Sequence, residues 1–261
     1  MKNTNYSSLS KDELLLISRA EYEKCKLITN EFATKVFGDS RKAANTVDRL
    51  RKKGRLIQLE RGKYILVPIK APNQMWTPNE LVVASLWMGN ASYYVGYFTM
   101  YNYWGFTEQV PQTVFILNTQ KSLAKKIGDT RYKAIKISSK KYYGIEKIKI
   151  DDEEVAISDR ERTLVDFIYN PIGSFEILKQ ILAQNIKKIS AEKLIKYLIQ
   201  FPEASVRKRA GYLLEQLNYP KNLLTRLKQS LGNPKTYVVL NTFNKSRKGK
   251  INKDWGLIVN T

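Results

Sequence analysis

The stretch DSRKAANTVDRLRKKGRLIQLERGKYILV, residues 39–67, decides how the N-terminal part of this chain folds. Asp39 and Ser40 are residues that cap helices, and Gly54 is a residue at which helices end, so the first half predicts a helix. Its core side is formed by apolar residues at helical spacing, which are Ala43 or Ala44, Val47 and Leu50. The second half carries apolar residues on both sides of the tight turn Glu60-Arg61-Gly62, and therefore predicts a small β-hairpin that Pro68 ends.

Two further helices precede this stretch. Ser10 and Glu13 have the spacing of a capping box and open a first helix. Leu14, Ile17 and Ala20 recur at helical spacing along that helix, and Leu14 and Ile17 are predicted core residues. Thr29 caps a short second helix that ends at Gly38. Three helices followed by a hairpin are the order of a winged helix-turn-helix, so residues 1–68 are predicted to form that DNA-binding domain.

Charge is distributed unevenly along this predicted domain. Residues 1–40 carry six basic and six acidic side chains, whereas residues 41–63 carry nine basic and two acidic ones. The whole positive excess therefore falls on the third helix and the hairpin, which are the elements that contact DNA in this fold. A solvated basic face is the alternative interpretation, and the placement of the charge favours double-stranded DNA as the partner.

The candidate DNA-binding residues follow from their positions on these elements. Side chains near the start of a recognition helix reach base edges, and Arg and Asn have the donors that read guanine and adenine. The candidate base readers are Arg41, Lys42 and Asn45, with Ser40 and Thr46 beside them. The candidate phosphate contacts are Arg49, Lys52 and Lys53. The candidate contacts from the hairpin are Arg61, Lys63 and Tyr64.

The remaining chain predicts a larger mixed α+β domain over residues 76–261, joined by a linker at residues 69–75. Alternating segments between 113 and 157 predict a small sheet, and capped helical segments follow from residue 158 to about residue 231. Two late strands flank a basic loop at residues 245–250. The aromatic-rich stretch 93–105 favours a core or interface, with a ligand surface as the alternative. The fold class is therefore α+β: a winged helix-turn-helix and a larger mixed domain.

The predicted second domain is also basic, and its partner stays open. Residues 64–261 carry 30 basic and 16 acidic side chains. Arg207, Lys208 and Arg209 form a candidate second basic patch on a helix. This charge predicts contact with more DNA, with RNA or with an acidic protein.

Absences in the composition narrow the chemistry. The chain has a net charge of +21, no histidine and one cysteine, Cys25. Histidine-dependent nucleophile systems and the HExxH zinc site are therefore excluded, and no phosphate-binding GxxxxGK motif occurs. No Asp or Glu is followed two positions later by Lys, a spacing that many nucleases use. We expect no catalytic residues, no metal site and no cofactor. The chain also has no apolar run of the roughly 20 residues that a membrane span needs, and we expect a cytoplasmic location.

Five ordered stretches give the chain a resemblance to the AbiEi-type antitoxins, the antitoxin half of AbiE abortive-infection systems. The hairpin is similar to the family's RGxY wing. The stretches that carry the resemblance are Arg61–Tyr64, Tyr94–Pro111, Glu161–Asp166, Val206–Glu215 and Gly249–Asn260. One difference is Trp104, which stands where the family often has histidine, and which we interpret as a change in packing.

The resemblance implies a function for both predicted domains. It implies a protein that is not an enzyme, whose winged helix represses its own operon at inverted repeats. It also implies that the second domain counteracts a nucleotidyltransferase-type toxin, without a stable complex, in a type IV toxin–antitoxin system of phage defence. Two alternatives from other classes are a nuclease targeted by a winged helix and an RNA-binding factor.

Overall fold

The computed structural model describes residues 8–69, 71, 76, 78–232, 236–244 and 246–260. Of the predicted linker at residues 69–75, only Ile69 and Ala71 are among the described residues. Lys245 of the predicted basic loop also lies outside them.

The chain folds as two compact units. Unit 1 consists of residues 1–89 and 124–132, and unit 2 consists of residues 90–123 and 133–261. Unit 1 therefore contains more of the chain than the winged-helix domain at residues 1–68. That residues 1–68 and 76–261 are separate domains stays a prediction.

Unit 1 contains the three helices and the hairpin of a winged helix-turn-helix. Its first elements are, in chain order, α1 (Lys11–Tyr22), β1 (Leu27–Thr29), α2 (Asn30–Phe37), α3 (Ser40–Lys52), β2 (Leu56–Glu60), β3 (Lys63–Leu66) and α4 (Glu80–Met88). The strands form a sheet in the order β1-β3-β2, with both pairs antiparallel. The predicted order of helices and hairpin is confirmed, and β1 is an addition, because three residues are too few to show a strand periodicity.

The core of this winged helix differs from the predicted one at α1. Leu16, Ile17 and Ala20 are buried, whereas Leu14 is 46% exposed. Leu14 is displaced because α1 turns a carboxylate, Glu13, toward α3. The prediction of Leu14 as a core residue was therefore wrong, and Leu16, two positions later, is in the core instead.

Glu13 is a buried carboxylate that ties α1 to the end of α3. The N–H of Ser10 donates to its Oε2 over 2.7 Å, which completes the predicted capping box. The Lys53 ammonium donates to the same oxygen over 2.7 Å, and Arg49 lies 3.4 Å from Oε1. Burial raises the pKa of the Glu13 carboxyl, but the hydrogen bonds from Lys53 and Ser10 outweigh it and leave that pKa below its ordinary value.

Unit 2 is a mixed α+β structure, as predicted. Its helices are α5 (Tyr97–Tyr103), α6 (Arg160–Tyr169), α7 (Phe175–Asn185), α8 (Ala191–Gln200), α9 (Ala204–Gln216) and α10 (Lys221–Gln229). The strands that follow α4 are β4 (Tyr93–Val95), β5 (Thr113–Asn118), β6 (Leu123–Ile127), β7 (Thr130–Lys136), β8 (Ile145–Ile150), β9 (Glu153–Ser158), β10 (Val238–Val239), β11 (Lys250–Asn252) and β12 (Leu257–Val259). Most of β6 and the start of β7 lie within residues 124–132 and therefore belong to unit 1. The larger sheet has the order β6-β7-β5-β4-β9-β8, and a small sheet has the order β10-β12-β11.

A buried ion pair on α6 lies among aromatic rings from other parts of unit 2. Arg162 and Asp166 are both buried, and Arg162 Nη2 lies 3.0 Å from Asp166 Oδ1. Arg162 also donates to the Tyr94 hydroxyl over 3.0 Å and lies 4.6 Å from the centre of the Tyr143 ring. Burial raises the pKa of Asp166 to about 6, although Arg162 opposes that rise. Two of the stretches that carry the family resemblance therefore meet in this core, at Tyr94 and at Arg162.

Two other such stretches meet where α9 packs against the end of the chain. A Cβ added at Gly211 would lie 2.1 Å from the ring of Trp255, so only glycine leaves room for that ring. The Trp255 indole N–H donates to Glu215 Oε2 over 2.9 Å. Trp104 is likewise a packing residue, because its N–H donates to the Ser158 carbonyl over 3.0 Å.

None of the helices within the described residues is long and apolar enough to cross a membrane.

The buried carboxylate gives a prediction for stability. Replacing Glu13→Gln removes the charge that Lys53 neutralises and should lower the free energy of unfolding by about 1–3 kcal/mol. Because the folded-state pKa of Glu13 is lowered, its stabilisation is present above the ordinary glutamate pKa and is lost as the pH falls through the folded value. Denaturant unfolding should therefore show a difference between variant and parent at neutral pH that shrinks in acid.

A matched control is Glu21→Gln, which removes a charge from the same helix outside the Ser10–Lys53 contact. An equal loss of stability in both variants, or a difference that persists unchanged in acid, would contradict the role given to Glu13.

Candidate nucleic-acid interface

Helix α3 presents one side to the core and the other to solvent. The Asp39 carboxylate caps it by accepting from the backbone N–H groups of Arg41 and Lys42, over 2.8 and 3.1 Å. Its buried residues are Ala43, Thr46, Val47 and Leu50. Its exposed residues are Ser40, Arg41, Lys42, Ala44, Asn45, Arg49, Arg51 and Lys52. The helix therefore has a continuous polar side that starts in its first turn.

The predicted base readers divide into available and engaged side chains. Ser40, Arg41 and Asn45 are exposed, and within the described residues no carboxylate pairs with Arg41. Lys42 forms an ion pair of 2.9 Å with Asp12 and lies 5.3 Å from the centre of the Phe37 ring. Arg41 and Asn45 are thus the side chains best placed to reach bases.

The prediction for Thr46 needs correction. Its side chain is buried, and its hydroxyl donates to the Lys42 carbonyl over 2.9 Å while accepting from Arg49 over 3.1 Å. Thr46 lies on the core side because it is three residues after Ala43 and four before Leu50, in the row that packs inward. It supports the helix and does not contact a ligand.

The predicted phosphate contacts are divided in the same way. Lys52 is exposed and forms an ion pair of 2.8 Å with Asp48. Arg49 keeps about half of its side chain exposed while it contacts Glu13. Lys53 is correctly placed at the end of α3, but its ammonium donates to Glu13 and to the Ser8 carbonyl, over 2.7 and 2.8 Å. Lys53 therefore holds α1 in this structure, and its predicted contact with phosphate stays a prediction.

The β2–β3 hairpin, the wing of this fold, is fixed to the start of α2. Gly62 has a φ of +76°, and its carbonyl accepts from the Asn30 N–H over 3.1 Å. Arg61 at the tip is exposed, and Lys63 lies 3.6 Å from Glu60. Tyr64 is half-buried against the core of unit 1, and its contact with DNA stays a prediction.

Two residues on the exposed side of α3 were missed by sequence reasoning. Ala44 is exposed, although spacing left open whether Ala43 or Ala44 faces the core. A methyl group at this position is suited to contact the methyl of thymine. Asp48 accepts from Arg51 and Lys52, each over 2.8 Å, and both contacts lower the pKa of its carboxyl. The signal for this contact was the spacing of three and four residues along the helix.

The predicted second basic patch is engaged in contacts within unit 2. Arg207 Nη1 donates to the Ser230 carbonyl over 2.8 Å, and Arg209 Nε donates to the Val239 carbonyl over 2.9 Å. Lys208 is 3% exposed and donates to the Thr236 carbonyl, so its prediction as a nucleic-acid contact is corrected. Arg207 and Arg209 are half-buried, and a nucleic-acid contact by these two residues stays a prediction.

Comparisons with known proteins agree with the fold and include the segment that contains α3 and the wing. Residues 24–67 match a family model described as a transcriptional regulator, AbiEi antitoxin, which confirms the predicted resemblance over β1 to β3. The RV2827C protein from Mycobacterium tuberculosis has a similar crystal structure, with a TM-score of 0.68 and 16% sequence identity. The match covers 96% of this chain and 92% of that protein, and at this identity it shows the fold alone. A search of curated proteins found no matching sequence.

The Asp48 contacts give a prediction for affinity. Replacing Asp48→Asn removes the carboxylate that holds Arg51 and Lys52, so both cations become available to phosphates. We expect tighter binding to all duplex sequences and a plot of log affinity against log salt that is steeper by about one unit. Glu108→Gln is a matched control, because it removes one exposed negative charge from unit 2. Equal effects of the two variants in a fluorescence anisotropy titration would mean that net charge, and not α3, determines the change.

Proposed function

We propose that this protein is a repressor that binds operator DNA through α3 and the wing, and that it is the antitoxin of a type IV toxin–antitoxin pair. One observation supports this most directly: the match to an AbiEi transcriptional regulator covers residues 24–67, and the positive excess of residues 1–68 lies within the same segment. A basic surface that coincides with the matched helix-turn-helix and wing supports DNA as its ligand.

The proposed binding mode follows from which side chains are exposed. Helix α3 lies in the major groove, where Arg41 reads guanine and Asn45 reads adenine. Arg49 and Lys52 contact phosphates on the adjoining strands, and Arg61 at the wing tip contacts the backbone or the minor groove. A single half-site gives few contacts, so two copies bind an inverted repeat.

The antitoxin part of the proposal assigns a function to unit 2. By its family resemblance, unit 2 counteracts a nucleotidyltransferase-type toxin without forming a stable complex with it. The description of the matched family as a regulator supports a protein that is not an enzyme. Incubation with supercoiled plasmid and Mg²⁺ should leave the plasmid intact, and cleavage that follows the protein through purification would favour the nuclease alternative.

The DNA-binding part is tested by separating base contacts from phosphate contacts. Arg41→Ala or Asn45→Ala should cost about 1–3 kcal/mol of operator binding and relax discrimination at one base position. Lys63→Ala should weaken binding to all sequences alike and reduce the salt slope by about one unit. Both are measured by anisotropy titrations against the operator and against single-base variants of it.

A control variant separates the effect of total charge from the effect of the interface residues. The triple variant Lys187→Ala, Lys188→Ala and Lys196→Ala removes three exposed cations from unit 2. The quadruple variant Arg41→Ala, Asn45→Ala, Arg61→Ala and Lys63→Ala removes three from the interface. Operator affinity that falls equally in both would contradict the proposed interface.

The antitoxin part is tested with the same quadruple variant as a full-length chain. Expressed in trans beside the neighbouring toxin gene, it should restore growth although it no longer represses the operon promoter. Such a result is expected because the toxin is counteracted by unit 2 and not by repression. Growth restored only by the parent chain would mean that the antitoxin effect is transcriptional, and would overturn the function given to unit 2.

A further inference from the structure

The small sheet at the end of unit 2 has a core side and an outer side. Leu257 and Trp255 are fully buried on the core side, against α9. Alternation along a strand turns the next residue outward. The register places Ile258 of the central strand opposite both Val239 of β10 and Ile251 of β11. These three side chains form an apolar row on the outer side, and Ile251 is 57% exposed.

Two exposed aromatic residues flank β10 along the chain, one before the strand and one after it. Tyr237 precedes Val239 by two residues, which is the spacing of side chains on one side of a strand. Phe243 lies in the loop that follows β10. Each of the two is 41% exposed. Exposed apolar side chains that adjoin one another, and not single ones, indicate an interaction site.

The loop that carries Phe243 is held in place by a buried asparagine, Asn260. Its side-chain nitrogen donates to the carbonyls of Asn241, Asn244 and Ser246, over 3.1, 3.2 and 2.8 Å. Its Oδ1 accepts from the Asn241 N–H over 2.9 Å, and Asn241 Oδ1 in turn accepts from the Phe243 N–H over 2.9 Å. These contacts hold the backbone on both sides of Phe243, whose ring is partly exposed to solvent.

The surroundings of these rings are basic. Arg247, Lys248, Lys250 and Lys253 are all exposed, and no ion pair is found for them within the described residues. The single acidic residue between 236 and 260 is Asp254, whose carboxylate is 2.7 Å from Lys228. The segment thus combines exposed rings with cations that have no carboxylate partner.

We infer that this surface, formed by Tyr237, Phe243, Ile251 and the cations from Arg247 to Lys253, binds an unpaired strand of nucleic acid. Bases that are not paired expose their faces and stack on aromatic side chains, while basic residues bind the phosphates. A duplex conceals those faces, and a second copy of the chain would be repelled by the same cations. The inference goes beyond the proposed repressor function, since it assigns a second nucleic-acid surface to unit 2.

The test uses substitutions that leave the charge unchanged, because a chain with a net charge of +21 attracts any polyanion. The full-length protein is titrated with fluorescein-labelled oligouridine and oligothymidine of about 15 nucleotides, a length within the range of one strand-binding module. The double variant Tyr237→Ala and Phe243→Ala should weaken strand binding by about tenfold or more at an unchanged salt slope. Phe243→Tyr keeps a ring and should keep binding, which shows that the loop still folds. The RNA and DNA arms show which strand is preferred.

Two further variants complete the test. Tyr22→Ala is the matched control, because Tyr22 is an exposed ring in unit 1. The quadruple variant of α3 and the wing should keep strand binding while it loses operator binding. Because the two kinds of binding are measured separately, a failure of the repressor proposal is distinguished from a failure of this inference. The inference is overturned if the parent binds neither strand, if the ring variant binds as tightly as Tyr22→Ala, or if the quadruple variant loses strand binding.

Discussion

The proposed DNA-binding surface of unit 1 depends on a buried carboxylate that lies outside it. Glu13 enters the core from α1, and a carboxylate buried there requires cationic partners because water no longer solvates it. Those partners are Arg49 of α3 and Lys53, the residue that caps the end of α3. One contact therefore joins the supporting helix to the end of the exposed helix. The same contact engages the ammonium of Lys53, one of the cations that the sequence predicts for the interface.

The sequence was sufficient for the order of elements, because each boundary has a local cause. Ser10, Thr29 and Asp39 cap their helices by contacts to residues two or three positions later. Sequence spacing also identifies the exposed side of α3. What it could not identify is a partner from elsewhere in the chain: Lys53 contacts a residue 40 positions away, and Arg209 contacts a carbonyl 30 positions away. Basic residues therefore looked alike in the sequence although some bind DNA in our proposal and others hold the fold.

The basic residues of unit 2 also fall into two sets. One set donates hydrogen bonds to backbone carbonyls between residues 230 and 239, and consists of Arg207, Lys208 and Arg209. The other set is exposed at the surface, and includes Arg247, Lys248 and Lys250. The first set holds the backbone of the chain shortly before the part that carries the second set. A strongly basic composition in this chain thus has two physical origins, and net charge alone overstates the area that is offered to polyanions. The two proposed nucleic-acid surfaces use different chemistry, base edges in a groove at α3 and base faces at the small sheet.

The contact between Gly211 and Trp255 has a consequence for how this architecture is followed among distant relatives. The ring of Trp255 occupies the volume that any larger residue at 211 would need, so position 211 cannot change while the tryptophan is present. A lineage that replaces the tryptophan by a smaller residue releases the constraint on the helix, and the reverse order of substitution is blocked. The two positions should therefore co-vary. Among relatives too distant for ordinary alignment, this pair offers a diagnostic signature for aligning α9 with the turn that precedes the last strand.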